Sequence, residues 1–439
     1  MTSFNVAVCG MSHLGLIYST AFAAFGANVM CYDTDGDLVK KLAHGKKTVD
    51  EPDLYETISR NGARQRFSAA PDDIRTCDIV YVALDVATDG QGNSDLSGVG
   101  QMIEQVAPHL KADARLVILC QVMPGFTRDL SRKIPQIAYY QVETLVFGRA
   151  MERAMKPERY IIGCRDPAAG IDSLFRAWLE LSECPIGVMS YESAELSKIA
   201  INLYLISSVS VSNMLAEMCE KIGADWADIR PSLHLDRRIG PYAYLKPGLG
   251  ISGGNLERDM ISIIRLGERS KTDTRLVSAW IDQSMHRKQW VLERLKEIFP
   301  DLRGLKIAVW GLAYKEDTNS IKNSPSVETI AALPACEVVA HDPGVQPHQV
   351  SFPNMTYARD RQEALVEADV LLIMTPWTQY KNYTAGEIVR QMAGRTIIDP
   401  YGLVDVSGEN DVSASVHVMG KKTIFMGDHA CFSSRIKRR

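Results

Sequence analysis

Short apolar runs alternate with amphipathic stretches at both ends of the chain. Near the N-terminus an apolar run leads into Gly10, a helix-like stretch begins near Leu14, and a second apolar run, NVMCYD, ends at Asp33. This order of strand, turn, helix and strand predicts a β-α-β unit. Further apolar runs predict buried strands at CDIVYVAL (77–84) and ARLVILC (114–120), and this pattern lasts until YIIGC (160–164). Strands that alternate with helices favour a parallel sheet covered on both faces.

The pattern changes in the middle of the chain and then returns. From Tyr191 to about Met285 it is mostly helical, apart from a loop rich in proline and glycine. A second β-α-β pattern follows in LKIAVWGLAY (305–314), EVVAHDP (337–343), ADVLLIMTPW (368–377) and RTIIDP (395–400). The predicted fold class is α/β, with two doubly wound Rossmann-like domains, 1–188 and 299–439, joined by a helical domain, 189–298, that contains a long central helix.

Composition and charge narrow the class of protein. The 439 residues are 46% hydrophobic and carry a formal net charge of −4, so neither nucleic acid nor an anionic membrane is indicated as a partner. The basic cluster RIKRR, Arg435–Arg439, is interpreted as a solvated tail. The nine cysteines form no CxxC pair, which predicts reduced thiols rather than disulfides or a metal site.

One stretch requires a comparison with membrane spans. Residues 199–216 carry no charge, but they include Asn202, Asn213 and four serines, and this predicts a buried helix. The first strand begins almost at once, without a basic segment before it, so no signal peptide is predicted. Together these features predict a soluble, cytoplasmic protein.

The first β-α-β unit carries a degenerate dinucleotide fingerprint. Gly10, Ser12 and Gly15 occupy the three positions of G-x-G-x-x-G, where glycines allow a tight turn and close approach of pyrophosphate and helix. The hydroxyl of Ser12 can donate to a phosphate oxygen. Asp33, at the end of the second strand, can accept both ribose hydroxyls and would repel a 2′-phosphate, which favours NAD over NADP. A strand-turn-helix without a ligand is the alternative.

Several longer motifs follow in a fixed order, and with them the chain resembles the UDP-glucose/GDP-mannose dehydrogenase family along almost its whole length. The matching segments include KLAHGKKTVDEPDL, DVATDGQGNSDLSGV, QVMPGFTR, VETLVFGRAMERAMKPERYIIG, AELSKIAINLYL, RRIGPYAYLKPGLGISGGNLERD and GLAYKEDTNSIKNSPS. The resemblance implies NAD in the first domain, a nucleotide sugar at the third, with UDP the favoured nucleotide, and a homodimer built on the central helix. It also implies oxidation of a C6 alcohol to a carboxylate in two hydride transfers, through a cysteine thioester.

The same resemblance assigns site residues. Catalytic roles fall on Lys198, Asn202, Asp259 and Glu143, and Arg238 resembles the arginine that reaches the substrate of a neighbouring subunit. The further cofactor contacts that it implies are His13, Leu14, Thr88 and Pro124. The further substrate contacts are Leu145, Gly250, Gly253, Arg258, Tyr314 and Lys315. From the residues alone, Lys198 could instead be a solvated lysine, and Asp259 an N-cap or salt-bridge carboxylate.

The chain departs from the family at the position of the nucleophile. Asn255 stands where the family has its cysteine, and an amide nitrogen, delocalised into its carbonyl, cannot attack an aldehyde at neutral pH. Arg258 replaces a lysine, Phe147 the second glutamate of the P-E-F-L-x-E-G motif, and Lys322 the third-domain arginine. Asn255 could also be structural, since asparagine suits a glycine-rich turn.

Three hypotheses remain open. In the first, the protein carries out a two-electron oxidation to an aldehyde, or an oxidation-linked epimerisation with NAD recycled. In the second, the four-electron oxidation proceeds through a gem-diol, with Asp259 or Lys198 accepting the proton. In the third, the protein binds a nucleotide sugar or NAD without catalysis.

Overall fold

The computed structural model describes residues 4–89, 94–407 and 412–427. The chain forms two compact units, residues 1–201 and 202–439, and the division falls within one long helix. Arg435–Arg439 lie outside the described residues, so the interpretation of this basic cluster stays a prediction.

The first unit contains one large sheet and seven helices that end before the long helix, within its described residues. Its strands are β1 (Asn5–Cys9), β2 (Asn28–Tyr32), β3 (Gln65–Ser68), β4 (Ile79–Val82), β5 (Ala87–Thr88), β6 (Ser94–Asp95), β7 (Arg115–Ile118), β8 (Ile137–Gln141), β9 (Tyr160–Cys164) and β10 (Ile186–Ser190). Its helices are α1 (His13–Ala24), α2 (Gly36–Ala43), α3 (Leu54–Asn61), α4 (Ser97–Val106), α5 (Phe126–Leu130), α6 (Ala150–Met155) and α7 (Ser173–Glu180). The long helix α8 (Tyr191–Ile222) follows.

The eight-stranded sheet of this unit has the order β10-β9-β8-β7-β4-β1-β2-β3. All its pairs are parallel except β8 with β9. In the sheet, β2 lies on one side of β1 and β4 lies on the other. The direction in which successive strands are added therefore reverses at β1. Ligands of doubly wound sheets bind beyond the carboxyl ends of the strands at such a switch point. The glycine fingerprint follows β1 and therefore lies at this point.

The second unit begins with helices and ends with a second sheet. Its helices are α9 (Trp226–Leu235), α10 (Asn255–Ser270), α11 (Arg275–Lys288), α12 (Trp290–Ile298), α13 (Pro325–Ala331), α14 (Arg361–Leu365) and α15 (Ala385–Val389). Its strands are β11 (Lys306–Trp310), β12 (Glu337–His341), β13 (Met355–Tyr357), β14 (Val370–Ile373), β15 (Thr396–Ile398), β16 (Ala414–His417) and β17 (Ile424–Met426). The sheet order is β13-β12-β11-β14-β15-β16-β17, again doubly wound, and only the last pair is antiparallel.

These two sheets confirm the predicted fold class, because the strands form where the apolar runs predicted them. β4, for example, is buried at all four positions, as a strand covered on both faces must be. The domain boundaries at 188 and 298 stay predictions.

The long helix α8 is buried only in part. By length and composition it could cross a membrane, and 39% of its most apolar window is buried within the chain. Several apolar side chains of α8 are exposed, among them Tyr204 at 78%, Met218 at 52% and Ile222 at 75%. The prediction of a buried helix for residues 199–216 is therefore correct for one face of the helix and wrong for the other.

Candidate functional site

The turn after β1 has the geometry of a phosphate-binding turn. Gly10 has φ +102°, in the left-handed region, and its N–H donates to the carbonyl of Tyr32 at 2.8 Å. A Cβ on Gly15 would lie 1.7 Å from the Gly10 carbonyl oxygen, so helix α1 approaches the turn closely only because this position is glycine. Leu14 is buried in the core below.

The N-terminus of α1 keeps its amide groups free of a side-chain cap. Ser12 is the N-cap residue, yet its hydroxyl makes no cap hydrogen bond and instead accepts from the backbone N–H of Asp85 at 3.1 Å. The hydroxyl proton and the first helical N–H groups therefore remain able to donate to a phosphate.

Asp33 is buried at the end of β2, with 8% of its surface exposed. One carboxylate oxygen accepts from Met11 N at 2.6 Å and the other from Asp35 N at 2.9 Å. A carboxylate has about four lone-pair positions, so these two donors leave acceptor capacity for a ribose diol. The residues of this turn thus fit an NAD molecule.

His13, at the start of α1, contacts a residue that sequence reasoning did not single out. Its Nε2 lies 3.1 Å from Oε2 of Glu51, and its ring lies 4.5 Å from the ring of Phe147. Glu51 also accepts from the backbone N–H groups of Gly148 and Ala150. Burial acts to raise the pKa of Glu51, but the hydrogen bonds from His13 and the two amides outweigh it, and the pKa lies below its usual value. Glu51 therefore connects the cofactor turn to the loop after β8.

A second overlooked carboxylate holds the loop that contains Pro124. Glu195 on α8 is fully buried and accepts from Gly125 N at 2.6 Å and Thr127 N at 2.8 Å. Burial raises the pKa of Glu195, and the two amide donors offset this only in part. Pro124 is half-buried beside this anchor, and Thr88, also half-buried, ends the short strand β5.

Lys198 and Glu143 form a largely buried ion pair. Nζ of Lys198 donates to Oε1 of Glu143 at 2.5 Å and to its backbone carbonyl at 3.0 Å. The side chains are only 11% and 17% exposed, so Lys198 is not a solvated lysine. An ammonium group has three donors, and these two bonds leave one for a ligand. The other oxygen of Glu143 accepts from Leu145 N at 2.9 Å, which orients the carboxylate.

Asn202 and Asp259 form a second buried polar pair, within the second unit. The amide of Asn202 donates to Oδ2 of Asp259 at 2.5 Å, and Nε of Arg258 lies 3.5 Å from Oδ1. Asp259 is fully buried and lies in the second turn of α10, so it is not an N-cap. Asp259 does form an ion pair with Arg258, which agrees with the alternative interpretation of this residue as a salt-bridge carboxylate.

Asn255 is the first residue of α10 and is exposed. The expectation that it occupies the glycine-rich turn itself is wrong, because the turn ends at Gly254. Asn255 and Asp259 are four positions apart on one helix and share a face. A side chain at position 255 therefore lies at the positive end of the helix dipole, one turn before a buried carboxylate.

The glycine-rich loop before α10 packs against its own unit. A Cβ on Gly250, where φ is +73°, would lie 2.5 Å from the Ser284 carbonyl oxygen. A Cβ on Gly253 would lie 2.8 Å from the Tyr314 ring. Asn323 donates to the Gly253 carbonyl at 3.3 Å. The predicted contacts Gly253 and Tyr314 are thus neighbours, and both glycines have a packing role.

Two other predicted substrate contacts lie apart from these pairs. Lys315 is half-buried and follows Tyr314 in the segment before α13. Arg238, in the turn after α9, has an 89% exposed side chain and pairs with Asp236 at 2.6 Å. Within the described part of this unit, the hydrogen bonds of Arg238 go to Asp236 and not to another predicted site residue.

The second sheet repeats the turn of the first but leaves no acceptor for a ribose. Gly311 has φ +103° and donates to the carbonyl of His341 at 2.8 Å, as Gly10 does to Tyr32. Asp342 corresponds in position to Asp33, but it accepts five hydrogen bonds, from the backbone N–H groups of residues 312, 313, 344 and 345 and from Trp377 Nε1. Its acceptor capacity is filled, so a dinucleotide fits the first turn better than the second.

Signals for the overlooked residues were present in the sequence. Glu51 lies in the segment KLAHGKKTVDEPDL, and Glu195 precedes Lys198 by three positions and Asn202 by seven, which is one face of a helix. Their partners, however, are backbone amides of distant loops, and no spacing rule identifies those.

Comparison with known proteins gives matches over all three parts of the chain. Residues 4–179, 192–284 and 308–406 match the NAD binding domain, the central domain and the UDP binding domain of the UDP-glucose/GDP-mannose dehydrogenase family. A UDP-glucose 6-dehydrogenase of Haloferax volcanii is 30% identical over 86% of this chain and 92% of its own. One of Bacillus subtilis is 27% identical over 96% and 94%.

A solved structure has the same overall fold. The UDP-glucose dehydrogenase of Pyrobaculum islandicum aligns with a TM-score of 0.82 at 25% identity, covering 92% of this chain and 95% of that one.

Proposed function

The chain belongs to the UDP-glucose/GDP-mannose dehydrogenase family, and from that premise we propose that it oxidises the C6 alcohol of a UDP-sugar to an aldehyde with NAD, without a thioester intermediate. It is an NAD-dependent oxidoreductase that acts on a nucleotide sugar. The absence of a thioester intermediate rests on Asn255, because this first residue of α10 offers an amide where the family's motif has a thiol.

No described cysteine replaces the missing nucleophile. Burial raises the pKa of all eight described thiols, and a raised pKa keeps a thiol protonated and unreactive. None of the chain's nine cysteines lies between Pro247 and Ser270. An aldehyde formed by this protein therefore meets no thiolate from the loop or from α10.

The retained polar groups support a first hydride transfer. NAD, when bound, accepts the hydride from the carbinol carbon. We assign the third N–H of Lys198 to the sugar oxygen, where it stabilises the negative charge that develops as the alcohol loses its proton. Glu143 fixes the direction of that ammonium group through its 2.5 Å bond. Asp259, oriented by Asn202, is assigned as the base that takes the proton directly or through water.

A four-electron oxidation is the second candidate, and the buried Asp259 favours it. An aldehyde hydrate can lose hydride without a covalent adduct if a base removes a hydroxyl proton, and a fully buried carboxylate is suited to that step. The acid would then form through a gem-diol.

Product mass and NADH stoichiometry distinguish these functions. The protein is incubated with NAD and a panel of UDP-sugars, and we expect one NADH per sugar and a product two hydrogens lighter than the substrate. A carboxylate with two NADH per sugar would overturn the two-electron limit and establish the gem-diol route. Conversion to an isomer of unchanged mass would identify epimerisation. Ligand binding without NADH or any product would identify a catalytically silent protein.

The exposed side of α8 supports a homodimer. Tyr204, Val211, Met214, Met218 and Ile222 are all more than 40% exposed, and their spacing of three, four and seven places them along one helical stripe. Exposed apolar stripes of this kind are typical of helix–helix interfaces. We propose that a second copy of the chain covers this stripe in a cytoplasmic dimer.

A further inference from the structure

A cavity of about 150 Å³ lies in the second unit, at the turn between β16 and β17. Its walls come from the end of α8, from α12 and from the β16–β17 hairpin, and we call it the hairpin cavity. Asn202 and Glu220 are both on α8 but 18 positions apart, about 27 Å along a helix at 1.5 Å per residue. The hairpin cavity is therefore separate from the Asn202–Asp259 pair.

Cationic side chains dominate this cavity. Arg294, Lys421 and Lys422 all line it. Lys422 is exposed and forms no ion pair with a described residue, and the nearest carboxylate to Lys421 is Asp225, at 3.9 Å. Nε of Arg294 is buried and has no hydrogen-bond partner among the described residues. Arg294 also donates through Nη2 to Glu297 at 2.7 Å. Three cationic side chains thus line one small space, and two of them have a carboxylate within 4 Å.

The carboxylate of Glu220 also lines the cavity, and donors from α11, α12 and the hairpin already bind it. Glu220 accepts from Trp290 Nε1 at 2.9 Å and from Gly420 N at 3.0 Å, and the fully buried Arg287 reaches it at 3.4 Å. Together these donors bind both carboxylate oxygens of Glu220. Glu220 is therefore already engaged by these donors, and it holds the hairpin against α8 and α12.

Two neutral polar side chains, His417 and Thr423, complete the lining. Thr423 Oγ1 lies 3.1 Å from His417 Nδ1. Burial and the nearby Arg294 guanidinium lower the pKa of His417 to about 4, so the imidazole is neutral at pH 7. A neutral imidazole has one N–H donor and one acceptor nitrogen, so His417 and Thr423 add neutral hydrogen-bonding groups to the lining.

We propose that the hairpin cavity is a binding site for a small phosphate-type oxyanion, held by Arg294, Lys421 and Lys422. Guanidinium and ammonium groups around a compact space recognise a tetrahedral anion through charge-assisted hydrogen bonds. The volume suits inorganic phosphate or a phosphate monoester, since a water molecule takes about 30 Å³ of liquid volume. An occupied site connects α8, α12 and the hairpin, and so stabilises the second unit. This proposal does not depend on the proposed reaction.

The test measures stabilisation by inorganic phosphate with the other anion sites filled. The full-length protein is saturated with NAD and UDP, and its Tm is recorded as phosphate replaces chloride at constant ionic strength. We expect a rise of about 2–4 °C at saturating phosphate, because a ligand that binds only the folded state stabilises it. The double variant Lys421→Gln/Lys422→Gln should lose this rise. Lys296→Gln, on the exposed side of the same helix as Arg294, is the matched control and should keep it.

Each outcome decides the proposal. An equal response to phosphate in the wild type and the double lysine variant would overturn it, as would no response in the wild type. Because both lysines are at least partly exposed, the double variant is expected to fold, and NAD binding checks this independently of the cavity. A second titration with methyl phosphate distinguishes the two ligands. Stabilisation equal to that by inorganic phosphate indicates a site for phosphate monoesters. Stabilisation by inorganic phosphate alone indicates a site closed around the free ion.

Discussion

Asn202 donates its amide to Asp259 over 2.5 Å, and Asp259 has no exposed surface. The two residues belong to α8 and α10 and are 57 positions apart in the chain. A buried carboxylate that loses a donor keeps its cost of desolvation without compensation. The pair therefore fixes both the position of Asp259 and part of the packing between these two helices.

Asn202→Ala should weaken both stability and catalysis. We expect a loss of about 1–3 kcal/mol in the free energy of unfolding, because Asp259 is left short of a donor. The rate of NADH production should fall about 100-fold, since a general base that loses its orientation loses most of its effect. Urea unfolding and initial rates measure the two. Asn28→Ala, at an exposed position, is the control and should change stability by less than about 0.5 kcal/mol. Unchanged stability in Asn202→Ala would contradict the buried pair.

Asn255→Cys should restore a covalent route. A thiol at the first position of α10 meets the positive end of the helix dipole, which lowers a cysteine pKa and favours thiolate. We expect NADH yield per sugar to rise toward two, a carboxylate product, and a sugar–protein thioester that mass spectrometry detects after acid quench. Asn255→Ser is the matched control, similar in size but without the thiolate. If the cysteine variant releases only aldehyde, position 255 does not face the reacting carbon.

Gly15→Ala should abolish NAD binding. The added Cβ would overlap the Gly10 carbonyl oxygen, so α1 must move away from the turn. A destabilisation of about 1–3 kcal/mol is expected from such overpacking. Calorimetric titration with NAD and urea unfolding measure both effects. The control is Gly98→Ala in the first turn of α4, where a Cβ meets nothing within 4 Å and NAD binding should be unchanged. Normal NAD affinity in Gly15→Ala would place the cofactor elsewhere.

Glu217 should make the second unit sensitive to acid. Burial acts to raise its pKa, but Lys221, His286 and Arg287 together lower it to about 2. Because the pKa of Glu217 in the folded protein lies below the ordinary glutamate value of 4.5, this stabilisation is present above pH 4.5 and is lost as the pH falls toward 2. The lowered pKa of Glu217 contributes on the order of 3 kcal/mol to the free energy of unfolding, at about 1.4 kcal/mol per pKa unit.

Glu217→Gln isolates this contribution. The variant should be less stable than the wild type at pH 7, and the difference should shrink steadily as the pH approaches 2, as measured by urea unfolding at several pH values. Glu268→Gln, at an exposed position of α10, should show no such trend. A difference that stays constant between pH 7 and pH 3 would refute the assignment.

Charges on the apolar stripe of α8 should prevent dimer formation. Met214→Glu with Met218→Glu places two carboxylates on side chains that are 46% and 52% exposed in the single chain. Like charges brought together and desolvated at a helix interface oppose association. Sedimentation velocity should show a dimer for the wild type and a monomer for the double variant. Val366→Glu, at an exposed apolar position outside α8, should remain dimeric. A monomeric wild type would exclude the proposed interface.

The fold was largely predictable, because the apolar runs of buried parallel strands are local signals. β1, β4, β11 and β14 all formed inside the runs that predicted them. The exposed face of α8 was not predictable, since its composition alone does not separate a buried helix from one with an uncovered side.

The sequence by itself determined the two glycine turns, the acidic residue after each second strand, and the asparagine in place of a thiol. These follow from side-chain identity and from steric rules that act within a few residues. Only the tertiary structure decided that the carboxylate of Asp33 can accept further hydrogen bonds, whereas that of Asp342 already accepts as many as it can. It also decided that Lys198 contacts Glu143. The physical reason is that hydrogen-bond capacity depends on which distant donors the packed elements bring to a carboxylate, and no local pattern in the chain specifies them.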